Sequence, residues 1–169
     1  MLDYVIKSKT AETNKVHGII EDNFPGPVLW CLIAEDLVAV RASDPPHLHH
    51  VVRDVYVPPR GAVAEFTLVA SPQRRVKGHR MPLPGDDARV AWVIRRLAER
   101  GLDVLDVRVS NGETFINRRK EGAGPFTIPR CIFKGEARVR DHDVLAESMA
   151  FPVGRGRAYG MGMLMFKKP

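Results

Sequence analysis

The sequence predicts an α+β fold of two tandem ferredoxin-like (RRM-like, βαββαβ) domains, of which the N-terminal one is abbreviated. Two observations support this prediction. Segments with strand periodicity alternate with helical segments in each half of the chain. Two adjacent prolines and a glycine in residues 57–61 interrupt any regular element between the halves. We therefore expect one domain at residues 1–59 and a second domain at residues 60–169, both with right-handed crossovers.

The N-terminal half contains four predicted strands and one predicted helix. In order, these are a strand at residues 2–8, a helix at 11–22, and strands at 28–34, 37–42 and 51–57. The prolines of Asp44-Pro45-Pro46 and the histidines of residues 47–50 fill the turn before the last strand. Little room remains there for a second helix, so the first domain is expected to be short.

The C-terminal half begins with a strand and the best defined helix. Apolar and polar residues alternate over residues 64–69, which predicts a strand with one buried face. Residues 71–84 are rich in basic side chains and have no apolar period, so we expect an exposed connection. Asp86 and Asp87 are expected to cap the helix, and Gly101 to end it. Its predicted apolar stripe is Val90, Val93, Ile94 and Leu97.

The remaining segments complete a second βαββαβ order. They are a strand over residues 102–109 and 114–117 around a turn at Asn111-Gly112, a basic turn at 118–124, a long strand at 126–140, a short helix at 141–150, and a glycine-rich turn leading into the apolar residues 161–166. No sequence repeat at a fixed period relates the two halves, so any duplication is structural.

Composition favours a folded protein with an anionic partner. The 169 residues include 26 Lys and Arg against 20 Asp and Glu, a formal net charge of +6. Cys31 and Cys131 lie far apart in apolar runs, which predicts buried thiols in a reducing compartment. The N-terminus lacks a signal-peptide pattern, and no apolar run approaches the roughly 20 residues of a membrane span. We expect a soluble cytoplasmic protein.

A glycine-rich segment near the C-terminus is the most informative stretch. Gly154, Gly156, Gly160 and Gly162 allow close approach of backbone N–H groups to a phosphate, and Arg155 and Arg157 add positive charge. The segment is neither a P-loop nor a dinucleotide fingerprint, because no Gly-Lys-Ser/Thr follows and it precedes a strand. A phosphate-backbone cradle and a plain glycine-rich turn with solvated arginines both fit this spacing.

Residues 153–164 (VGRGRAYGMGML) resemble the C-terminal glycine-rich loop of the repeat-associated CRISPR proteins, particularly the CasE-type (type I-E) repeat endoribonucleases. Three further segments resemble the same family in the same order: residues 66–72, 89–97 and 132–137. In the first half, Val16-His17 followed by Phe24-Pro25 resembles the family's first helix and its histidine. Family members usually carry a tyrosine three residues before that histidine, and Asn14 stands there instead.

The resemblance implies a metal-independent endoribonuclease that binds CRISPR repeat hairpins and cuts precursor transcripts. RNA supplies its own 2′-hydroxyl nucleophile, so one histidine of near-neutral pKa and nearby positive groups suffice. His17 is the expected catalytic residue, as base or as acid, and the products would be 2′,3′-cyclic phosphate and 5′-hydroxyl ends. Lys15 is either an electrostatic helper or a solvated lysine. No metal or small-molecule cofactor is expected, and the partners would be the repeat RNA and other Cascade subunits.

The expected RNA-binding residues lie in three basic segments. They are Arg74, Arg75, Lys77, Arg118, Arg119, Lys120, Gly154, Arg155, Gly156 and Arg157. The histidines of residues 47–50 are not expected to bind zinc, because further ligands are missing nearby. Two other functions stay open: a non-catalytic RNA-binding subunit of the same fold, and a small domain that binds a metabolite or a protein.

Overall fold

The computed structural model describes residues 1–116 and 126–169. In chain order its elements are β1 (Leu2–Lys7), α1 (Thr13–Asn23), β2 (Leu29–Leu32), β3 (Leu37–Ala42), β4 (His50–Arg53), β5 (Val63–Ala70), β6 (Gln73–Val76), β7 (His79–Pro82), α2 (Asp86–Ala98), β8 (Leu102–Ile116), β9 (Phe126–Val139), α3 (His142–Ser148) and β10 (Leu164–Phe166). A short 3-10 turn at Arg157–Tyr159 precedes β10. None of the helices in the described ranges is long and apolar enough to cross a membrane.

Two four-stranded antiparallel sheets have the same strand order. The first sheet runs β2-β3-β1-β4, and the second runs β10-β5-β9-β8. If the four strands of each sheet are numbered 1 to 4 in chain order, and the first sheet is read starting from β4, both orders are 4-1-3-2. This is the strand order of the split βαβ fold. The prediction of two tandem ferredoxin-like units is therefore confirmed. Residues 43–49 join β3 to β4 without a helix, so the first unit is abbreviated.

The helices pack on one face of each sheet. Val16, Ile20 and Phe24 are spaced by four residues, so they share one face of α1 and its C-terminal end, and they are buried on the first sheet. Trp92 of α2 and Leu145 of α3 are buried on the second sheet in the same way. A third cluster joins the two units: Leu29, Cys31, Ala39, Val69, Ile128, Met161 and Met163. Both cysteines are buried and free, as predicted.

A buried arginine also links the two units. Arg41 of β3 is only 2% exposed, and its guanidinium forms two hydrogen bonds with the Asp3 carboxylate, at 2.7 and 2.9 Å. Its Nη1 donates to the carbonyl oxygens of Met149 and Leu164 in the second unit, at 3.2 and 3.0 Å. The paired charge and the two carbonyls satisfy the guanidinium, which makes its burial tolerable.

The segment at residues 71–84 differs from the sequence prediction. It forms a hairpin, in which β6 pairs with β7 and Val76 lies opposite His79. Lys77 and Gly78 form the two-residue turn, and both have positive φ, which matches a type I′ hairpin. The strands went unpredicted because nearly every side chain of the hairpin is exposed, so no apolar alternation marks them.

Four smaller predictions were wrong. Asn111 and Gly112 are not a turn, because β8 continues through them and pairs with Cys131 and Arg130 of β9. The N-cap of α2 is Gly85, and no side chain caps it; Asp86 and Asp87 lie in its first turn, where they still favour the helix dipole. Ile94 is exposed, whereas Trp92 is buried in its place. The predicted strand at residues 51–57 is also shorter, since β4 ends at Arg53.

Candidate nucleic-acid interface

His17 lies on α1 next to the buried face of that helix. Its side chain is 31% exposed, between the buried Val16 and Ile20 and the solvent. Its Nε2 lies 3.2 Å from Oε1 of Glu21, one helical turn later, and the Glu21 side chain is 68% exposed. The other ring nitrogen, Nδ1, is buried and has no hydrogen-bond partner within residues 1–116 and 126–169. The imidazole therefore presents only its Nε2 edge to the surface.

His17 and Arg157 line the same cleft. This surface, which we call the His17 cleft, has a volume of about 380 Å³. Its walls are His17, Ile20, Glu21, Phe24, Pro25, Gly26, Pro27, Val28, Trp30, Arg157 and Ala158. Helix α1 contacts the 3-10 turn directly, so the histidine of the first unit and the arginine of the second are held on one surface. His17 and Arg157 therefore line one surface of the molecule.

The glycine-rich segment at residues 154–162, here called the glycine loop, packs against the two tryptophans of the chain. Gly154 has φ 79°, and a Cβ there would lie 2.9 Å from Cζ2 of Trp92. Gly160 has φ 71°, and a Cβ there would lie 2.6 Å from Cζ3 of Trp30. Glycine is therefore required at both positions for its backbone conformation and for its size. The loop is fixed to α2 at one end and to β2 at the other.

Backbone hydrogen bonds divide the glycine loop into two parts. The amides of Tyr159 and Met161 donate to the carbonyl of Gly156, and the amide of Gly162 donates to Val69 of β5. The amides of residues 154–158, by contrast, donate no hydrogen bond to any described residue. The second part of the loop is thus held by its own bonds, whereas the first part has N–H groups available to an anion.

The two arginines of the glycine loop point to different surfaces. Arg157 lines the His17 cleft, whereas Arg155 lines a concavity of about 220 Å³ between the β6–β7 hairpin and α2. This second surface, here called the arginine groove, is lined by Ser71, Gln73, Arg74, Arg75, Arg80, Trp92, Arg96, Gly154 and Arg155. The glycine loop therefore forms the boundary between the His17 cleft and the arginine groove.

The arginine groove concentrates positive charge. It contains five arginines and no acidic side chain. Arg74, Arg75, Arg80 and Arg155 are exposed and form no ion pair with any residue in the described ranges, while Arg96 pairs with Glu99 at 3.0 Å. The Nε atom of Arg96 is buried and has no partner among those same residues. A polyanion can therefore contact four of the five arginines without displacing an ion pair formed within the described ranges.

Several predicted site residues lie elsewhere. Lys77 is at the tip of the β6–β7 turn, outside the residues that line the arginine groove. Lys15 forms an exposed ion pair with Glu12 at 2.7 Å and does not line the His17 cleft. Arg118, Arg119 and Lys120 lie outside the described residues.

The histidines at residues 47–50 lie outside both surfaces. Nδ1 of His50 lies 2.8 Å from the carbonyl oxygen of Leu48. Its ring packs edge-on against Tyr4, with centroids 5.3 Å apart. This contact places His50 beside the core of the first unit.

Three residues of these surfaces were missed by sequence reasoning. Glu21 follows His17 by four residues, and this spacing alone predicts contact on a helix. Arg96 follows the buried Trp92 by the same interval, which brings it to the edge of the groove. Arg80 belongs to the hairpin, whose Lys-Gly turn was the available signal.

The chain resembles CRISPR-associated proteins in sequence. The sequence profile of the family described as CRISPR associated protein matches residues 5–168. The CRISPR-associated endoribonuclease Cse3 of Thermus thermophilus is 32% identical over 117 residues. That alignment covers 62% of this chain and 55% of the relative, so the chain matches about half the length of that protein.

Solved structures share the fold over nearly the whole chain. A structure of Cse3 bound to a 19-nucleotide RNA aligns with a TM-score of 0.84 and 20% identity, covering 99% of this chain and 100% of that one. Cas6e from Escherichia coli aligns with a TM-score of 0.78 and 19% identity, covering 98% and 97% of the two chains. A chain of a CRISPR RNA-guided surveillance complex aligns with a TM-score of 0.77 and 18% identity, covering 98% of each. At this identity the likeness establishes the fold.

Proposed function

Since this chain belongs to the CRISPR associated protein family, we propose that it is a metal-independent endoribonuclease that binds CRISPR repeat hairpins and cuts precursor transcripts into guide RNAs. The observation that carries this proposal is that His17 and Arg157 line one cleft, although they come from different units. A similar protein from Thermus thermophilus is named an endoribonuclease, which supports the same activity here.

The chemistry requires positioning and two proton transfers, one from the 2′-hydroxyl and one to the 5′-oxygen. The 2′-hydroxyl oxygen attacks the adjacent phosphorus, and the bond from phosphorus to the 5′-oxygen breaks. His17 serves one of these proton transfers and water the other, and Arg157 stabilises the charge that develops on the phosphoryl oxygens. The products are a 2′,3′-cyclic phosphate and a 5′-hydroxyl. We propose that the amides of residues 154–158, which donate no hydrogen bond to any described residue, bind the phosphate backbone next to the cut.

The arginine groove is the proposed site for the backbone of the hairpin stem. Five guanidinium groups around one concavity suit phosphate oxygens, because each can form paired hydrogen bonds with them. The sequence-predicted contacts Arg74, Arg75 and Arg155 all lie here, and Arg80 and Arg96 join them. Lys77 at the hairpin tip and the basic residues at 118–120 are proposed as further phosphate contacts. Such phosphate contacts depend little on the identity of the bases.

We also propose that the protein stays with its product as a subunit of a Cascade-like complex in the cytoplasm. Two observations support this: a chain with the same fold belongs to a CRISPR RNA-guided surveillance complex, and a similar structure is bound to RNA. Retention of the cut hairpin would follow from the number of phosphate contacts in the arginine groove, because these do not depend on an intact scissile bond.

The test is a cleavage assay with a labelled repeat hairpin in EDTA. We expect cutting at one position and a 2′,3′-cyclic phosphate end. The variant His17→Ala should lower the single-turnover rate by at least about 100-fold, the lower range for acid–base catalysis, while hairpin affinity is retained. His49→Ala is the matched control, since His49 is an exposed histidine outside the His17 cleft. Unchanged cutting by His17→Ala would refute the assignment.

A non-catalytic RNA-binding subunit is the second candidate function. It is favoured by Asn14, which stands where the family usually has a tyrosine. In that case the unmodified protein would bind the hairpin with salt-dependent affinity and leave it uncut in the same assay. Cleavage of the hairpin by the unmodified protein therefore distinguishes the two functions.

A further inference from the structure

The contact between Glu21 and His17 determines which ring nitrogen of His17 carries a hydrogen. An ionised carboxylate has only acceptor oxygens, so the hydrogen in the 3.2 Å contact between Nε2 of His17 and Oε1 of Glu21 belongs to Nε2. The contact joins residues four apart on α1, where side chains lie above one another. The exposed nitrogen of the imidazole is therefore a hydrogen-bond donor.

The buried nitrogen completes this argument. Nδ1 of His17 is enclosed and meets no hydrogen-bond partner in the part of the chain that the structure describes. When His17 is neutral with its hydrogen on Nε2, the basic lone pair is on Nδ1, away from the cleft. A lone pair on Nε2 would instead face the Glu21 carboxylate and be repelled by it. In this state His17 is no base toward the cleft, and it becomes an acid there when Nδ1 also takes up a proton and the imidazolium donates from Nε2.

The charged side chains around His17 also favour donation of a proton from Nε2. Among the residues that line the His17 cleft, Glu21 and Arg157 are the charged side chains beside His17. Arg157 can hold a phosphate in the cleft, while Glu21 holds the Nε2–H bond of the imidazole at its edge. The carboxylate is exposed at the rim, so it can keep this contact while a phosphate lies beside Arg157.

We propose that Glu21 is a positioning residue that keeps His17 as the general acid of the cleavage reaction. This inference rests on the proposed endoribonuclease function. The 2′-oxygen forms its bond to phosphorus and its hydrogen passes to water, while the electron pair of the breaking phosphorus–oxygen bond stays on the 5′-oxygen. Protonated His17 gives its Nε2 hydrogen to that oxygen and is left neutral with its remaining hydrogen on Nδ1. Solvent then returns a proton to Nε2, where Glu21 accepts the hydrogen bond again.

The experiment compares two leaving groups. One repeat hairpin carries the natural 5′-oxygen at the bond that the unmodified protein cuts, and the other carries sulfur at that bridging position. A thiolate leaves without being protonated, so a step that depends on the general acid no longer limits the sulfur substrate. Single-turnover rates at saturating protein are measured for Glu21→Ala, Glu21→Gln and His17→Ala. Asp22→Ala is the control, because it removes an exposed carboxylate from the same helix outside the His17 cleft.

Glu21→Ala should cut the oxygen substrate about tenfold more slowly, the loss expected for one charge-assisted hydrogen bond. Glu21→Gln should recover most of that rate, since the amide oxygen still accepts from Nε2. On the sulfur substrate, Glu21→Ala and His17→Ala should both approach the unmodified rate. Equal slowing of both substrates by Glu21→Ala, no slowing of either, or no recovery by Glu21→Gln would overturn the inference. Failure of the unmodified protein to cut the oxygen substrate would instead refute the proposed function.

Discussion

Gly160 of the glycine loop lies directly against the indole ring of Trp30, a residue of the other structural unit. A Cβ atom at Gly160 would be only 2.6 Å from Cζ3 of that ring. Trp30 also lines the His17 cleft together with Arg157. Contact between the Gly160 backbone and the Trp30 ring therefore fixes the position at which the glycine loop packs on the first unit.

The first prediction concerns this contact. Gly160→Ala should lower the free energy of unfolding by about 2 to 4 kcal/mol, because alanine is strained at positive φ and its methyl group overlaps the ring. Urea unfolding followed by circular dichroism measures the change. Cleavage should also fall, since displacement of the loop moves Arg157 relative to His17. An unchanged midpoint would show that the loop adapts freely.

The matched control is a glycine with open space around it. Gly18 lies inside α1, and a Cβ there would meet no atom within 4 Å. Gly18→Ala should therefore raise the free energy of unfolding by about 0.5 to 1 kcal/mol through helix propensity alone. A loss of stability from this change would contradict the open space seen at Gly18.

The second prediction concerns the buried arginine between the units. Arg41→Met should cost about 3 to 5 kcal/mol of unfolding free energy, because it leaves the Asp3 carboxylate and two carbonyls without their donor. Lys7→Ala is the control, since Lys7 forms an exposed ion pair with Asp36 and such pairs contribute at most about 1 kcal/mol. Similar losses for the two variants in chemical denaturation would show that the Arg41 link is unimportant.

The third prediction concerns the arginine groove. Arg80→Ala should weaken hairpin binding and lower the slope of log K against log salt by about 0.7 to 1, the amount for one lost phosphate contact. Fluorescence anisotropy at several salt concentrations measures both effects. Arg95→Ala removes the same charge from an exposed position on α2 outside the groove, so its slope should stay near that of the unmodified protein. Equal slopes for the two variants would place the RNA elsewhere.

The fourth prediction concerns alkaline pH. Burial raises the pKa of the Cys31 thiol from 9.0 to about 11, against a smaller opposing effect of Arg130. Between these two values the unfolded chain releases the thiol proton and the folded chain keeps it, so stability falls as pH rises through that window. From pH 9 to 10 the unmodified protein should lose about 1 kcal/mol more than Cys31→Ala. Parallel losses in urea unfolding at the two pH values would contradict this.

The element order was predictable because local patterns report it. Apolar alternation predicted β5, and helical spacing predicted α2, since each pattern matches the period of the element that it forms. The β6–β7 hairpin was not found, because its side chains face solvent on both sides and leave no alternation. The continuation of β8 through Asn111-Gly112 depends on pairing with β9, which overrides the local turn preference of those residues.

The candidate site was predictable only in part. His17 was identified from the resemblance to a known family, whereas Arg155 and Arg157 were indicated by the spacing of glycines and arginines, whose residue types fit phosphate chemistry. Nothing in the chain order indicated that Arg155 and Arg157, two residues apart, would line different surfaces. Gly156, the residue between them, has a positive φ of 93°, and this left-handed conformation turns the backbone between the two side chains.

The sequence by itself determined the two βαββαβ-type orders, the abbreviation of the first unit and the residue types available for binding RNA. These follow from periodicity and composition, which act over a few residues. Only the tertiary structure decided that His17 of the first unit and Arg157 of the second line one cleft, because that arrangement depends on how two separately formed sheets pack. Packing of Trp30 against Gly160 and of Arg41 against distant carbonyls fixes this arrangement, and such contacts between remote segments leave no local pattern.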